Sequence, residues 1–211
     1  MSSTGQRTIT FNVPEQSIYK LAENGFQLSV ARSVGANGQG ASSNLVWIVQ
    51  DLAPMTDVNW TEGQYALNWT NHVGSAGTTA TLNGMWQSAS LGSSYALDAR
   101  GMWQANGSGS DPSSITVRNN GSNTVNIVVG VANNFGGFDP IWVDTQETPS
   151  SGVSTYQPGS EVSFWYGHDR QASFCDPSRR PTPTGSVNAS SGSKWNAEYE
   201  FEAGRWNVQQ S

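Results

Sequence analysis

The sequence predicts an all-β fold, an antiparallel β-sandwich built from an internal duplication of two related halves. Three observations predict it. About a dozen short alternating runs are separated by Gly, Asn and Ser turn signals, the pattern of a sandwich or barrel. One stretch occurs twice. Only 12% of residues are charged, against about 25% in an average domain. Solubility then rests on Ser, Thr, Asn, Gln and Gly, which suits antiparallel strands with one wet face.

The repeated stretch runs from Leu45 to Trp69 and again from Pro140 to Tyr166. Pro54 and Val58 follow Trp47 at seven and eleven residues, and Pro149 and Val153 follow Trp142 at the same intervals. Each copy closes on an aromatic strand, Tyr65–Trp69 or Val162–Tyr166. Neighbouring segments repeat as well. Ile115-Thr116-Val117 echoes Ile9-Thr10-Phe11, Asn120-Gly121 echoes Asn24-Gly25, and Val125–Val129 echoes Phe26–Val30. Residues 1–107 and 108–211 are therefore expected as two β repeats, in tandem or packed as a single pseudo-twofold domain.

Taken in order, Thr8–Val13 alternates and reads as a strand. Ser17–Glu23 is the one helical candidate, and a short one. Asn24-Gly25 marks a turn before a strand at Phe26–Val30, and Gly35–Asn44 is a Gly/Asn/Ser loop. After the first copy of the repeated stretch, strands are expected at Thr78–Gln87 and Ser94–Gln104, each ending in Gly-Met-Trp-Gln. Asn106–Ser114 is the candidate boundary between halves. Asp169–Ser193 is irregular and rich in Pro, Ser and Arg, and Lys194–Gln209 forms two last strands.

The 211 residues carry a formal net charge of −6 and a pI near 4.7. That balance argues against a nucleic-acid partner, which needs a basic patch, and against simple docking on anionic lipid. Cys175 is the sole cysteine, so no intrachain disulfide forms, and a reducing compartment is the natural reading. The N-terminal segment lacks the apolar core of a signal peptide, and no apolar run has the length of a membrane helix. A cytoplasmic protein, or one released without a classical signal peptide, is expected.

Nine tryptophans stand out. Strand parity assigns Trp69, Trp195 and Trp206 to the core, and the repeat assigns Trp103 with Trp206. Four fit the core less well. Trp142 shares parity with Asp144, Trp165 with Glu161 and Ser163, Trp60 lies between Asn59 and Thr61, and Trp86 precedes a Ser-rich stretch. An exposed Trp beside Asn, Asp or Gln can hold a sugar, with its C–H face on the ring, and it suits a lipid or subunit interface equally. The loop Asn133-Asn134-Phe135-Gly136-Gly137-Phe138-Asp139-Pro140 is the best binding-loop candidate. It offers amides, a carboxylate, two aromatics and glycines that let backbone approach a ligand; a plain Gly-rich turn is the simpler reading. The expected ligand-binding residues are thus Trp142, Trp165, Trp60, Trp86, Asn133, Asn134, Asp139 and Asp144.

Support for catalysis is thin. His168 and Cys175 allow a Cys/His pair on paper, without a local signature. Glu198, Glu200 and Glu202 read as the wet face of an edge strand. Arg170, Arg179 and Arg180 could meet an acidic ligand, although a solvated loop accounts for them. Two histidines and one cysteine do not make a zinc site, and no phosphate loop, nucleophile elbow or metalloprotease helix is present. No cofactor and no metal are expected.

The expected function is therefore non-catalytic, lectin-like carbohydrate binding to glycans or glycoconjugates, with homo-oligomers giving avidity. The alternative is a membrane-active, lipid-recognising or pore-forming defence protein, in which Thr78–Ala99 would insert as a hairpin. An enzyme on the same scaffold is the third reading. The general character resembles that of small leaderless lectins and cytolysins, a likeness of class that carries no residues across.

Overall fold

The computed structural model describes residues 5–211. Strands hold 50% of the residues and helix 5%, so the fold is all-β, in several sheets that do not close into a barrel. The first sheet contains β1 (Gln6–Asn12), β4 (Met55–Thr61), β14 (Lys194–Glu200) and β15 (Arg205–Gln210), in the order β15-β14-β1-β4. The second contains β5 (Tyr65–Thr70), β6 (Gln87–Ala89), β10 (Asn126–Ala132) and β11 (Phe138–Val143), in the order β11-β10-β5-β6. The third runs β3 (Ile48–Gln50), β2 (Gln27–Ala36), β12 (Val153–Gly167), β9 (Ile115–Asn119), β7 (Ser93–Leu97), β8 (Trp103–Ser108), with β13 (Gly185–Asn188) also paired to β12. Most pairs are antiparallel; β1–β14 and β7–β9 are parallel.

All three sheets feed one main core. Ile9 and Phe11 of β1, Val30 of β2, Leu67 of β5, Val129 of β10, Phe164 of β12 and Trp195 of β14 belong to the same buried cluster. Strands β2 and β10 are buried along nearly their whole length, which explains the continuous apolar run Ile127-Val128-Val129 in place of alternation. The helical candidate is a nine-residue helix, α1 (Glu15–Glu23), anchored by fully buried Leu21.

Within β2 the core accepts a charge. Arg32 is fully buried, and its Nη2 donates to Glu62 Oε1 at 2.7 Å. Glu62 also accepts from Tyr65 Oη at 2.6 Å and from Trp60 Nε1 at 2.8 Å. Burial alone would raise the Glu62 pKa; the Arg32 charge and these hydrogen bonds outweigh it and hold the carboxyl below its usual value. The Arg32 guanidinium also lies over the rings of Trp47 and Tyr65, at 5.6 and 5.9 Å from their centroids.

The two Gly-Met-Trp-Gln segments converge on a single ring. A Cβ at Gly84 would come 2.6 Å from Trp69 Cδ1, and one at Gly101 would come 2.7 Å from Trp69 Cζ2. Both positions need glycine to admit the indole. Trp69 Nε1 donates to the Gly101 carbonyl at 3.1 Å, and Asn68 bonds both backbone groups of Gly84. Trp69 is half-buried beside the core, not inside it as parity predicts.

Three other expectations are corrected. Thr78–Gln87 is not a strand; its backbone bonds instead to the segment around Phe174, through Phe174 N to Thr78 O and Ala80 N to Ala172 O. Its alternating Ala80, Leu82 and Trp86 pack on a small second cluster of Leu45, Val128, Val143 and Phe174 without forming a ladder. The strand expected at Ser94–Gln104 is broken into β7 and β8. Asp98 Oδ1 accepts from the amides of Arg100 and Met102 and turns the chain between them. Strand β14, with Glu198 and Glu200, is interior to its sheet; β15 covers it, and β15 and β4 are the edges.

Candidate functional site

The loop between β10 and β11 is built by Asn133. Its Oδ1 accepts from the amides of Phe135 at 3.0 Å and Gly137 at 2.9 Å, and its Nδ2 donates to Asp139 Oδ1 at 2.9 Å. The backbone N–H of Asn133 closes the loop on the Gly137 carbonyl at 2.9 Å. Gly136 has φ of +80°, a conformation that L residues rarely adopt. This closure thrusts Phe135 into solvent, with 96% of its surface exposed.

Beneath the loop lies a groove of about 180 Å³. Trp47 and Ile48–Gln50 supply one wall, Asn59 of β4 and Gln171 supply others, and Asn133, Asn134, Phe135 and Asp139 complete it. Strand β4 alternates across the sheet, which sends Asn59 to the groove while Trp60 points to the core. The side chains of Gln50, Asn134 and Gln171 make no hydrogen bond among the described residues. Asn59 Oδ1 accepts from Thr8 Oγ1 at 2.8 Å, leaving its amide N–H groups unspent. The groove thus combines an open aromatic ring, several free amides and one carboxyl group.

Of the eight residues expected from the sequence, the groove brings together Asn133, Asn134 and Asp139. The expectation that Trp60, Trp142 and Trp165 stand exposed is overturned. Trp60 is 3% exposed, stacks on Trp195 at 6.3 Å and donates to Glu62. Trp142 is buried against Tyr156, at 5.8 Å between centroids. Trp165 is 0% exposed, and its Nε1 donates to Asp169 Oδ2 at 2.7 Å. Parity misled because the ends of β11 and β12 are covered on both faces, so no wet face remains there. Trp86 is half-buried, tilted against Phe138 at 6.0 Å and outside the groove.

Asp144 is likewise a buried structural group. Its Oδ2 accepts from Tyr156 Oη at 2.8 Å and its Oδ1 from Gln146 N at 2.9 Å. Burial raises its pKa, and these two bonds pull it only partway back. The residues missed by the sequence reading are Trp47, Gln50, Asn59 and Gln171. The place of Trp47 at the head of the repeated stretch was a usable signal; Gln50, Asn59 and Gln171 carried none. Among the described residues, no three His, Cys, Asp or Glu side chains cluster to hold a metal, and no helix is long and apolar enough to cross a membrane. Protein-family models gave no match to the chain, and searches of curated proteins and of solved structures likewise returned none.

Proposed function

We propose that the protein is a non-catalytic, lectin-like carbohydrate-binding protein that takes neutral glycans in the groove beside Phe135. The observation that carries this reading is the pairing of a ring 96% exposed with a groove lined by the amides of Gln50, Asn59, Asn134 and Gln171. A sugar presents an apolar C–H face to an aromatic ring and hydroxyls to neutral donors and acceptors. Asp139 is the one charged group on the groove wall and accepts hydroxyl protons. The same exposed Phe135 supports a second reading, insertion into a lipid interface, because the loop tip has no core to cover it. A glycan array with the labelled protein, run beside sedimentation with mixed-lipid liposomes, separates the two. Glycan binding without sedimentation supports the lectin reading; sedimentation without glycan binding replaces it with the lipid reading.

We also propose that the sheets form a β-sandwich descended from a duplication, with residues 1–107 and 108–211 packed as one body. Each sheet joins strands of both halves, through β1 with β14, β5 with β10 and β2 with β12. Each copy also runs antiparallel to the corresponding strand of its own half, Ile48 pairing with Val30 and Trp142 with Val129. Expressing each half alone tests the single body: neither should give a cooperative unfolding transition, and a folded half would overturn it.

A further inference from the structure

The arginine-rich, proline-rich stretch after β12 walls a second cavity, of about 310 Å³, that shares no lining residue with the Phe135 groove. Its size falls at the low end of small-molecule pockets. Arg180 lies across it, with the guanidinium carbon 3.8 Å from the centroid of the Trp165 ring. Its Nη1 donates to Thr184 Oγ1 and its Nη2 to Ser43 Oγ, both at 3.2 Å. Both partners are neutral hydroxyls. Nε has no partner, and among the described residues no carboxylate pairs with Arg180. Five N–H donors therefore face two neutral acceptors. A half-buried guanidinium so held has no carboxylate in contact, and Asp176 acts on it only across the cavity.

Asp169 lines the same cavity. Its Oδ2 accepts from Trp165 Nε1 at 2.7 Å and Ser29 Oγ at 3.0 Å, while its Oδ1 has no partner among the described residues. The cavity thus offers a fixed cation and, on the same wall, a carboxylate oxygen that can only accept. We propose that it binds a small carboxylate that also carries hydroxyl donors, the chemistry of sugar acids and hydroxy acids. The ligand's carboxylate meets Arg180 and a hydroxyl donates to Asp169. A neutral sugar would leave Arg180 without an anion. An inorganic phosphate dianion would bring a second negative charge against those of Asp169 and Asp176, where a monocarboxylate brings one. The site stands independently of the Phe135 groove.

Cys175 also lines this cavity and is the only cysteine in the chain, so thiol labelling reads this one place. Burial pushes its pKa up, with Arg180 pulling it partly back, so the thiol reacts slowly. The test is the rate of Cys175 alkylation by iodoacetamide at mildly alkaline pH, with saturating D-glucuronate, D-galacturonate or L-malate, against glucose, acetate and inorganic phosphate. At least one hydroxylated carboxylate should slow labelling tenfold or more, with the three controls inert. Arg180→Gln should abolish the protection, and its melting curve shows whether the variant is folded. Should it not fold, the protecting acid must still raise the wild-type Tm while the controls do not. No protection by any of the three acids, equal protection by phosphate, or protection retained in a folded Arg180→Gln overturns the proposal.

Discussion

Trp60 and Phe135 each follow an asparagine, and the fold treats them in opposite ways. Trp60 is 3% exposed and Phe135 is 96% exposed. Their asparagines nevertheless line the same groove. On β4 the period of two separates neighbours, so Asn59 reaches the surface because Trp60 does not. At the tip of the β10–β11 loop there is no interior to turn toward, and both Asn134 and Phe135 stay in water. Polar neighbours in sequence therefore mark an exposed aromatic here only in a loop; in a strand they mark the opposite face. The two regions also differ in how their polar groups are spent. Around Trp60 the indole N–H, a phenol and one guanidinium nitrogen all converge on the Glu62 carboxylate, while Arg32 Nε and Nη1 stay buried against the Trp47 and Tyr65 rings without a hydrogen bond. Around Phe135 several amides remain open.

The largest expected effect lies at the buried pole of that contrast. Glu62→Gln keeps the shape but leaves Arg32 as an uncompensated buried charge, a loss of about 3–5 kcal/mol, read by urea denaturation. A change under about 1 kcal/mol would mean that solvent reaches Arg32 and that the closed network is not closed. Trp60→Ala should cost about as much, about 3–5 kcal/mol for a buried Trp.

The pH dependence sharpens the same point. The folded pKa of Glu62 lies below its ordinary 4.5. Its contribution is complete above that unfolded value and is lost as pH falls through the lower folded one. Asp144 has the opposite sign: its raised pKa favours the neutral form in the fold, so it detracts from stability above that pKa. The stability gap between wild type and Glu62→Gln should therefore narrow steadily as pH drops below 4.5. A gap that stays constant into strong acid would remove Glu62 from the acid response.

A smaller effect is expected at the Trp69 clamp. Gly101→Ala adds a Cβ 2.7 Å from the indole at φ of +74°, at a cost of about 1–3 kcal/mol. The melting temperature should fall; an unchanged one would show that Trp69 is free to swing away. The smallest stability effect belongs to Phe135→Ala, within about 0.5 kcal/mol because the ring touches solvent and little else.

Much of the fold is legible in the residues, and the reasons for the failures are specific. Alternation marked β1, β14 and β15, and the echo of Phe26–Val30 at Val125–Val129 marked β10. Alternation failed where partners far along the chain decide the outcome. Thr78–Gln87 lost its ladder to the Phe174 segment, and β14 acquired β1, from the other end of the chain, as its second neighbour. The candidate site was legible where it is local, in the Asn133–Asp139 loop with its glycines and amides. It was illegible where it depends on assembly: Gln50, Asn59 and Gln171 meet there only because β3, β4 and the segment after β12 pass beneath that loop. Trp142 and Trp165 were assigned to a wet face that the second layer of chain removes.

Because Phe135→Ala should leave the fold intact, it isolates the binding reading from stability. The direct measurement is titration of wild type and Phe135→Ala, by isothermal calorimetry, with a neutral glycan that the array selects. The groove account predicts affinity at least tenfold weaker in the variant, about 1.4 kcal/mol, with an unchanged melting temperature. Equal affinity in the two proteins would contradict it and move glycan recognition away from Phe135.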